Sequence, residues 1–288
     1  MSDGHDAAPT APEPRRTVEF RCPHCALALV DIGPSVRCES GHVFDRAREG
    51  YVNLMVGGRL PGGPAGDDDA MVRSRREVFD AGLYLPIMDA VAATVAAITA
   101  ATPLPVVLDA GCGEGSYLAR AVDASGADGW GIDIAKTAVR LASKRHGHHH
   151  YAVASSYRLP FFDGTFDALI DVFSPRPWDE LARVLVPGGA AVIVTPGAGH
   201  LAQLKERIYR DAREHRERID PDEQGVLVHE RSDHVAFTLE LDDPALRLRL
   251  LEMTPYWWST DPSARAAVAA DVGVVDVDVL VSVYRRVS

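Results

Sequence analysis

The chain lacks any hydrophobic run long enough to cross a membrane. Its longest candidate, residues 90–101, is short, rich in alanine and interrupted by Thr94 and Thr99, whereas a membrane-spanning helix needs about 20 apolar residues. The first 16 residues are rich in Pro, Ala and Asp and have no apolar centre, so they predict a disordered leader rather than a secretory signal. These absences exclude a membrane-spanning protein.

Cysteine and positive charge are also scarce, and each deficit narrows the class of protein. Four cysteines in 288 residues are too few for a disulfide scaffold, so a reducing cytoplasm is the expected compartment. The 30 Lys and Arg against 41 Asp and Glu leave a net charge of −11, and a surface of that sign repels phosphate. The composition therefore excludes a general polyanion binder, and any contact with nucleic acid requires a local basic patch.

The rest of the composition is that of a globular protein, 47% hydrophobic, and it changes along the chain. Residues 17–56 are compact, and residues 57–69 hold five glycines, two prolines and three aspartates, which is typical of a linker. From residue 70 to residue 288, short apolar runs alternate with helical patterns, and residues 235–241 and 274–284 are further strand candidates. The alternation predicts an α/β domain with a mostly parallel sheet covered on both faces.

A glycine-rich segment follows the first apolar run of this domain. The segment Leu108–Gly115 reads LDAGCGEG, and its glycines let the backbone turn sharply and approach a ligand; they are Gly111, Gly113 and Gly115. The dinucleotide fingerprint requires a glycine where Ser116 stands, and the acid before the loop, Asp109, suits a cationic ammonium group better than a pyrophosphate. Asp133 ends the next apolar run, where a carboxylate can accept both hydroxyls of a ribose.

Two later segments complete this pattern, the apolar run Phe166–Ile170 and Glu180–Gly189, which reads ELARVLVPGG. Over roughly residues 85–200 the chain resembles the class I S-adenosylmethionine-dependent methyltransferases. The resemblance implies a Rossmann-like, mostly parallel sheet that binds S-adenosylmethionine (SAM). A doubly wound sheet that binds another nucleotide is the alternative.

Cysteine and histidine cluster near the N-terminus with the spacing of a zinc knuckle. The expected ligands are Cys22, Cys25, Cys38 and His42. Three thiolates and one imidazole fill a tetrahedron around Zn²⁺, which makes the site structural rather than catalytic. A disulfide between two of the cysteines is the alternative, and His24 is interpreted as a solvated neighbour. The histidines at 146 and 148–150 lie between a helix and a strand and predict an exposed loop.

Further motifs are spread over nearly the whole chain: Glu49–Leu54 (EGYVNL), Asp80–Tyr84 (DAGLY), Ala154–Ser156, Thr195–Gly197 and Met253–Pro255. With the zinc knuckle before a SAM-binding domain, they are similar to the RlmA-type family of large-subunit rRNA guanine-N1-methyltransferases, from about Cys22 to Pro255. The resemblance implies methylation of N1 of a guanine in the loop of hairpin 35 of 23S rRNA. It also implies a homodimer whose zinc modules help to form an RNA-binding cleft, and some members confer resistance to macrolides such as tylosin or mycinamicin.

The resemblance further implies which residues surround the cofactor. It adds Tyr84 and His200 as neighbours of SAM, and it places Ser155 where many relatives have the acid that binds the adenine amine. The expected cofactor-binding residues are Tyr84, Asp109, Gly111, Gly113, Glu114, Gly115, Asp133, Ser155 and His200. Guanine N1 must lose a proton, so a base or a water leading to one is expected. Asp171 is the candidate, although a polar residue at a strand end is the simpler interpretation.

Local basic residues are the candidates for RNA contact despite the negative total. Residues 15–59 contain seven arginines against five acids, and residues 73–76 add a second patch. A base splayed out of a loop stacks on aromatic side chains, for which Phe173, Trp178 and Trp257–Trp258 are candidates, although each equally suits core packing. The expected RNA-binding residues are Arg37, Arg46, Arg48, Arg59, Arg75, Arg76 and Trp178.

Two other functions are compatible with these motifs. One is a methyltransferase that acts on a small molecule or a protein and uses the zinc module only as a lid. The other is a non-catalytic RNA-binding or assembly factor that retains the cofactor fold. The intact Asp109, loop glycines and Asp133 argue against the second.

Overall fold

A computed structural model describes residues 17–56, 67–208, 225–254, 257, 261, 265, 269–270 and 272–287. The predicted leader, most of the predicted linker with Arg59, and Trp258 lie outside the described residues.

A four-stranded antiparallel sheet forms the N-terminal module. Its strands follow one another in space as in sequence: β1 (Phe20–Arg21), β2 (Ala28–Asp31), β3 (Ser35–Arg37) and β4 (Val43–Asp45). The turn after β1 carries Cys22 and Cys25, and the turn after β3 carries Cys38 and His42. A sheet this small buries too little apolar surface to be stable alone.

An eight-stranded sheet forms the large domain, in the order β11-β12-β10-β9-β6-β7-β8-β5. The strands are β5 (Val52–Asn53), β6 (Val106–Ala110), β7 (Asp128–Asp133), β8 (His150–Val153), β9 (Phe166–Val172), β10 (Leu185–Pro196), β11 (Leu227–Glu240) and β12 (Val274–Arg286). Strands β5 to β10 run parallel, and β12 is antiparallel to both of its neighbours. This is the predicted mostly parallel sheet.

Seven helices are described: α1 (Asp69–Asp80), α2 (Leu85–Thr99), α3 (Ser116–Ser125), α4 (Lys136–Arg145), α5 (Trp178–Val184), α6 (Ala202–Ile208) and α7 (Pro244–Glu252). Helix α2 shows why they cover the sheet, because Ile87, Val91 and Val95 recur every four residues and are all buried. No described helix is long and apolar enough by itself to cross a membrane; α1 and α2 meet the criterion only together, as a pair bent by 83°.

The two sheets are joined by packing and by the chain itself. The ring of Phe20 lies 5.0 Å from Trp130 and 5.4 Å from Phe161, measured between ring centroids. Strand β5 follows the small sheet and pairs with β8, so the predicted boundary at residue 56 comes after a strand of the large sheet. Helix α1 begins at Asp69, inside the predicted linker 57–69, and the Asp68 carboxylate caps it.

Candidate cofactor site and zinc centre

The glycine loop lies at the carboxyl end of β6, between that strand and α3. Gly111, Gly113 and Gly115 have φ of +98°, +54° and +91°, a region that L side chains rarely adopt. A Cβ on Gly111 would overlap the Ser174 hydroxyl, and one on Gly115 would lie 2.8 Å from the Tyr151 hydroxyl. The loop therefore requires glycine for its conformation and for its close contacts.

Three carboxylates surround this loop. Asp109 is 1% exposed and Glu114 2% exposed, and within the described chain neither the Asp109 Oδ2 nor the Glu114 Oε2 atom has a hydrogen-bond partner. Arg145 faces Glu114, with 3.6 Å between Nη1 and Oε2. Asp133 accepts the Gly113 N–H at 2.9 Å and the Ala135 N–H at 2.7 Å, so it holds the loop against the end of β7.

Burial perturbs these acids. It raises the pKa of Asp109 to about 8, with a further contribution from the neighbouring Asp133 carboxylate, and a hydrogen bond from the Leu118 N–H opposes the rise. Burial also raises the pKa of Asp133, against the two backbone N–H groups that lower it. A buried carboxylate oxygen without a partner, beside a loop rich in glycine, fits a ligand with an ammonium group. SAM is such a ligand.

The other predicted cofactor residues lie at the ends of neighbouring strands or beside the loop. Tyr84 is buried where α2 begins. Ser155 follows β8, and its hydroxyl accepts the Tyr157 N–H at 3.3 Å. His200 follows β10, and its Nδ1 accepts the Asp278 N–H at 3.3 Å. Burial lowers the pKa of His200 to about 4, so the ring is neutral at pH 7.

Phe173 follows β9 and faces the same edge of the sheet. Its φ is +53° and it is 42% exposed, a conformation that costs a bulky residue about 1–3 kcal/mol. Its ring lies 5.6 Å from that of His200. Asp171, the predicted base, is fully buried within β9. The sequence analysis named Phe173 as an aromatic candidate. It could not predict the left-handed backbone, because nothing in a sequence marks that conformation at a residue other than glycine.

The four predicted zinc ligands converge. Their ligand atoms all lie within 4.8 Å of one another, with 3.6 Å between the Sγ atoms of Cys25 and Cys38, and 3.3 Å and 3.7 Å from His42 Nδ1 to the Sγ atoms of Cys38 and Cys22. Ligands about 2.0–2.3 Å from a tetrahedral ion have this separation. His24 stacks on His42, with 4.7 Å between ring centroids, and is not among the four ligands.

The predicted RNA-binding residues are dispersed. Arg37 and Arg48 are exposed on the N-terminal module. Arg46 is engaged by Asp31 at 2.7 Å and by the Gly50 carbonyl at 3.0 Å, and Arg76 is engaged by Asp80 at 3.3 Å. Trp178 is half-buried against Tyr284, with 4.9 Å between ring centroids, and Trp257 is buried in the core. Arg75 lies at the glycine loop.

A basic cleft lies between the N-terminal module and α4; sequence reasoning named its Arg48 but missed Arg140 and Lys144. It has a volume of about 310 Å³ and is lined by Arg48, Glu49, Arg140, Ser143 and Lys144. Arg140 Nε lies 3.2 Å from Glu49 Oε1, and the Ser143 hydroxyl donates to the Glu49 carbonyl. The available signal was the four-residue spacing of Lys136, Arg140 and Lys144, which places three exposed cations on one face of α4.

Comparison with known proteins agrees with this geometry. Residues 20–56 match a family model described as "RlmA, N-terminal", a zinc ribbon, and residues 107–189 match one described as "Methyltransferase domain". The 23S rRNA (guanine(748)-N(1))-methyltransferase of Streptomyces fradiae is 37% identical over 88% of this chain and 90% of its own.

Two further likenesses are weaker. A Micromonospora griseorubida protein, provisionally named as a 23S rRNA guanine-N1-methyltransferase, is 34% identical over 93% of this chain and 97% of its own. The crystal structure of the YcgJ protein from Bacillus subtilis superposes with a TM-score of 0.48 and 18% identity, over 66% of this chain and 96% of that one.

The sheet order, the glycine loop and the Cys3His cluster define a class I SAM-dependent methyltransferase with an N-terminal zinc ribbon. Within that class, the chain belongs to the RlmA-type family of 23S rRNA guanine-N1-methyltransferases. The predicted fold class and both predicted cofactors, SAM and zinc, are confirmed.

Proposed function

We propose that this enzyme transfers the methyl group of SAM to N1 of a guanine in the loop of hairpin 35 of 23S rRNA. The observation that carries the proposal is the combination, in one chain, of the zinc ribbon and the SAM site, aligned over 88% of its length with a relative named for this reaction at guanine 748.

The exposed aromatic at the end of β9 suits a flipped base. Because SAM supplies an activated methyl group, the protein must orient the guanine and allow its N1 proton to leave. Phe173 offers a partly exposed ring at the cofactor edge of the sheet, with its centroid 5.6 Å from that of the His200 ring. The proposal keeps Asp171 as the proton acceptor; because its side chain is completely buried, the proton of guanine N1 would have to reach it through a water.

The basic cleft supports RNA as the substrate. Arg48, Arg140 and Lys144 outnumber the single acid Glu49 there, although the chain as a whole carries −11. Arg37 is a further exposed cation on the zinc ribbon. Phosphate groups of a hairpin stem are the complementary ligand. We further propose that the enzyme is a homodimer with paired zinc ribbons. We also propose that it confers resistance to tylosin-type or mycinamicin-type macrolides.

Primer extension on 23S rRNA tests the reaction. N1 methylation blocks base pairing, so reverse transcriptase should stop in the hairpin 35 loop in the parent strain, pass through in a deletion strain and stop again after complementation. Complementation with Asp109→Asn should not restore the stop, because Asp109 is buried at the cofactor loop. A stop that persists in the deletion strain would contradict the proposal, and labelled methyl found only in small molecules or protein would favour the alternative substrates. Macrolide sensitivity of the same strains tests the resistance role.

A further inference from the structure

Arg75 differs from the other arginines of α1 in where its guanidinium lies. A Cβ on Gly113 would be 3.9 Å from Arg75 Nη1, so the guanidinium faces the middle of the glycine loop. Its side chain is 27% exposed, whereas Arg73 and Arg76 face solvent. Burial raises the pKa of both Tyr84 and Tyr117, and the charge of Arg75 opposes each rise. Arg75 therefore belongs to the cofactor site and not to a surface patch.

A ligand carboxylate bound beside the acids around the loop would need a cation close to it. The amino-acid end of SAM carries an ammonium group and a carboxylate on the same carbon. Asp109, Glu114 and Asp133 suit the ammonium and the ribose hydroxyls, but all three repel a carboxylate. Arg145, the other guanidinium near the loop, is engaged by Asp80 at 2.6 Å and faces Glu114. Among the residues that the structure describes, Arg75 is the cation that faces Gly113.

The Arg75 guanidinium is also oriented for this task. Its Nη1 donates to the Asp67 carboxylate, and a guanidinium has five N–H donors, so the others remain available to a second anion. We propose that Arg75 binds the carboxylate of the methionine moiety of SAM and that Asp67 positions its guanidinium. The proposal rests on the SAM site and is independent of which nucleic acid receives the methyl group.

Two ligands that differ by the amino-acid moiety test it. S-adenosylhomocysteine has the carboxylate, and 5′-methylthioadenosine lacks the whole amino-acid end. In titration calorimetry with the full chain, Arg75→Gln should weaken S-adenosylhomocysteine about 10- to 100-fold, as expected for a lost charged hydrogen bond, and should leave 5′-methylthioadenosine unchanged. Arg73→Gln, at an arginine of the same helix that faces solvent, is the matched control and should change neither.

The outcomes separate the possible roles of Arg75. Equal weakening of both ligands would show a general disturbance of the pocket and overturn the proposal, as would an unchanged affinity for S-adenosylhomocysteine. Loss of affinity for a hairpin transcript with normal S-adenosylhomocysteine binding would place Arg75 on the RNA surface instead. If Arg75→Gln is too unstable to test, Arg75→Lys replaces it, because lysine keeps the charge without the planar fork of the guanidinium. Partial recovery of S-adenosylhomocysteine binding in Arg75→Lys, with thermal unfolding unchanged, would support the proposal.

Discussion

At the scale of single residues, Asp109 is a carboxyl group that stays largely protonated in the free enzyme and ionises when a cationic ligand binds. It is 1% exposed, and its pKa of about 8 keeps most copies of the free enzyme protonated at pH 7. Between the ordinary carboxyl pKa and pH 8, the folded chain binds this proton more tightly than the unfolded chain, so the free enzyme loses stability as the pH rises. A bound cation favours the ionised carboxylate of Asp109 instead.

Cofactor binding should consequently depend on pH. The ammonium group of the ligand requires the ionised form of Asp109, so binding releases a proton, and the affinity for S-adenosylhomocysteine should rise from pH 6 to pH 8, by up to about tenfold per pH unit. Titration calorimetry in buffers of different ionisation enthalpy measures the proton release. Asp109→Asn should bind weakly and lose this pH dependence; a wild-type affinity that is flat over this range would contradict the assignment.

Sequence spacing predicts which residues surround the loop, because glycines and acids at strand ends are fixed by local geometry. It does not predict where long side chains turn. Arg75 is expected in a basic patch but faces Gly113, and His149 is expected in an exposed loop but is buried against Gly129, where a Cβ would lie 3.0 Å from its Nδ1. These positions depend on packing between segments that are far apart in the chain.

At the scale of elements, the central strands are predictable and the edges are not. Strands β6, β7 and β9 are buried on both faces, so they show as apolar runs, and the predicted runs fall within or overlap them. Strand β11 is predicted only from Val235, although it begins at Leu227, because residues 228–230 and 232–234 are exposed and show no alternation. The two-residue strand β5 has no signal at all.

The zinc ribbon is the element whose stability depends on a ligand. Removal of zinc by a chelator, or Cys38→Ser, should let the amides of β1 to β4 exchange with solvent at rates near those of an unfolded chain, because metal binding supplies most of the folding free energy of such a module. Amides of β6 and β9, and the affinity for S-adenosylhomocysteine, should change little. Hydrogen exchange and zinc analysis measure both effects.

Cys112 provides the control for that experiment. It is the fourth cysteine, buried in the glycine loop and outside the Cys3His cluster. Cys112→Ser should therefore retain one zinc ion per chain. A wild-type protein without zinc, or a Cys38→Ser variant that retains both the ion and the protection of β1 to β4, would contradict the assigned ligands.

At the scale of the whole molecule, the cleft between the zinc ribbon and α4 brings together three cations, Arg48, Arg140 and Lys144. A chain of net charge −11 repels RNA at long range, so the proposed function requires a local attraction, for which the cleft beside α4 is the candidate. The docking of Phe20 on Trp130 and Phe161 fixes the ribbon against the large domain. Arg48 of the ribbon and Lys144 of α4 therefore line one cleft.

Salt dependence of RNA binding tests this arrangement. Arg48→Gln and Lys144→Gln should each weaken binding of a hairpin 35 transcript and reduce the slope of log affinity against log salt by about 0.7 to 0.9 per lost phosphate contact. Arg285→Gln is the control, because Arg285 pairs with Glu230 at 2.6 Å on β12, away from the cleft. If both cleft variants keep the wild-type slope, the RNA follows another path.

Glu49 gives that cleft a built-in counter-ion. Its carboxylate lies 3.2 Å from Arg140 Nε, so a phosphate that binds to this guanidinium must displace an anion that the protein itself supplies. A lone phosphate or a stray nucleotide gains little from such an exchange. Under the proposed function, an RNA that is anchored at several other points at once would make this exchange more readily, so the Glu49 carboxylate would favour extended polyanions over small ones.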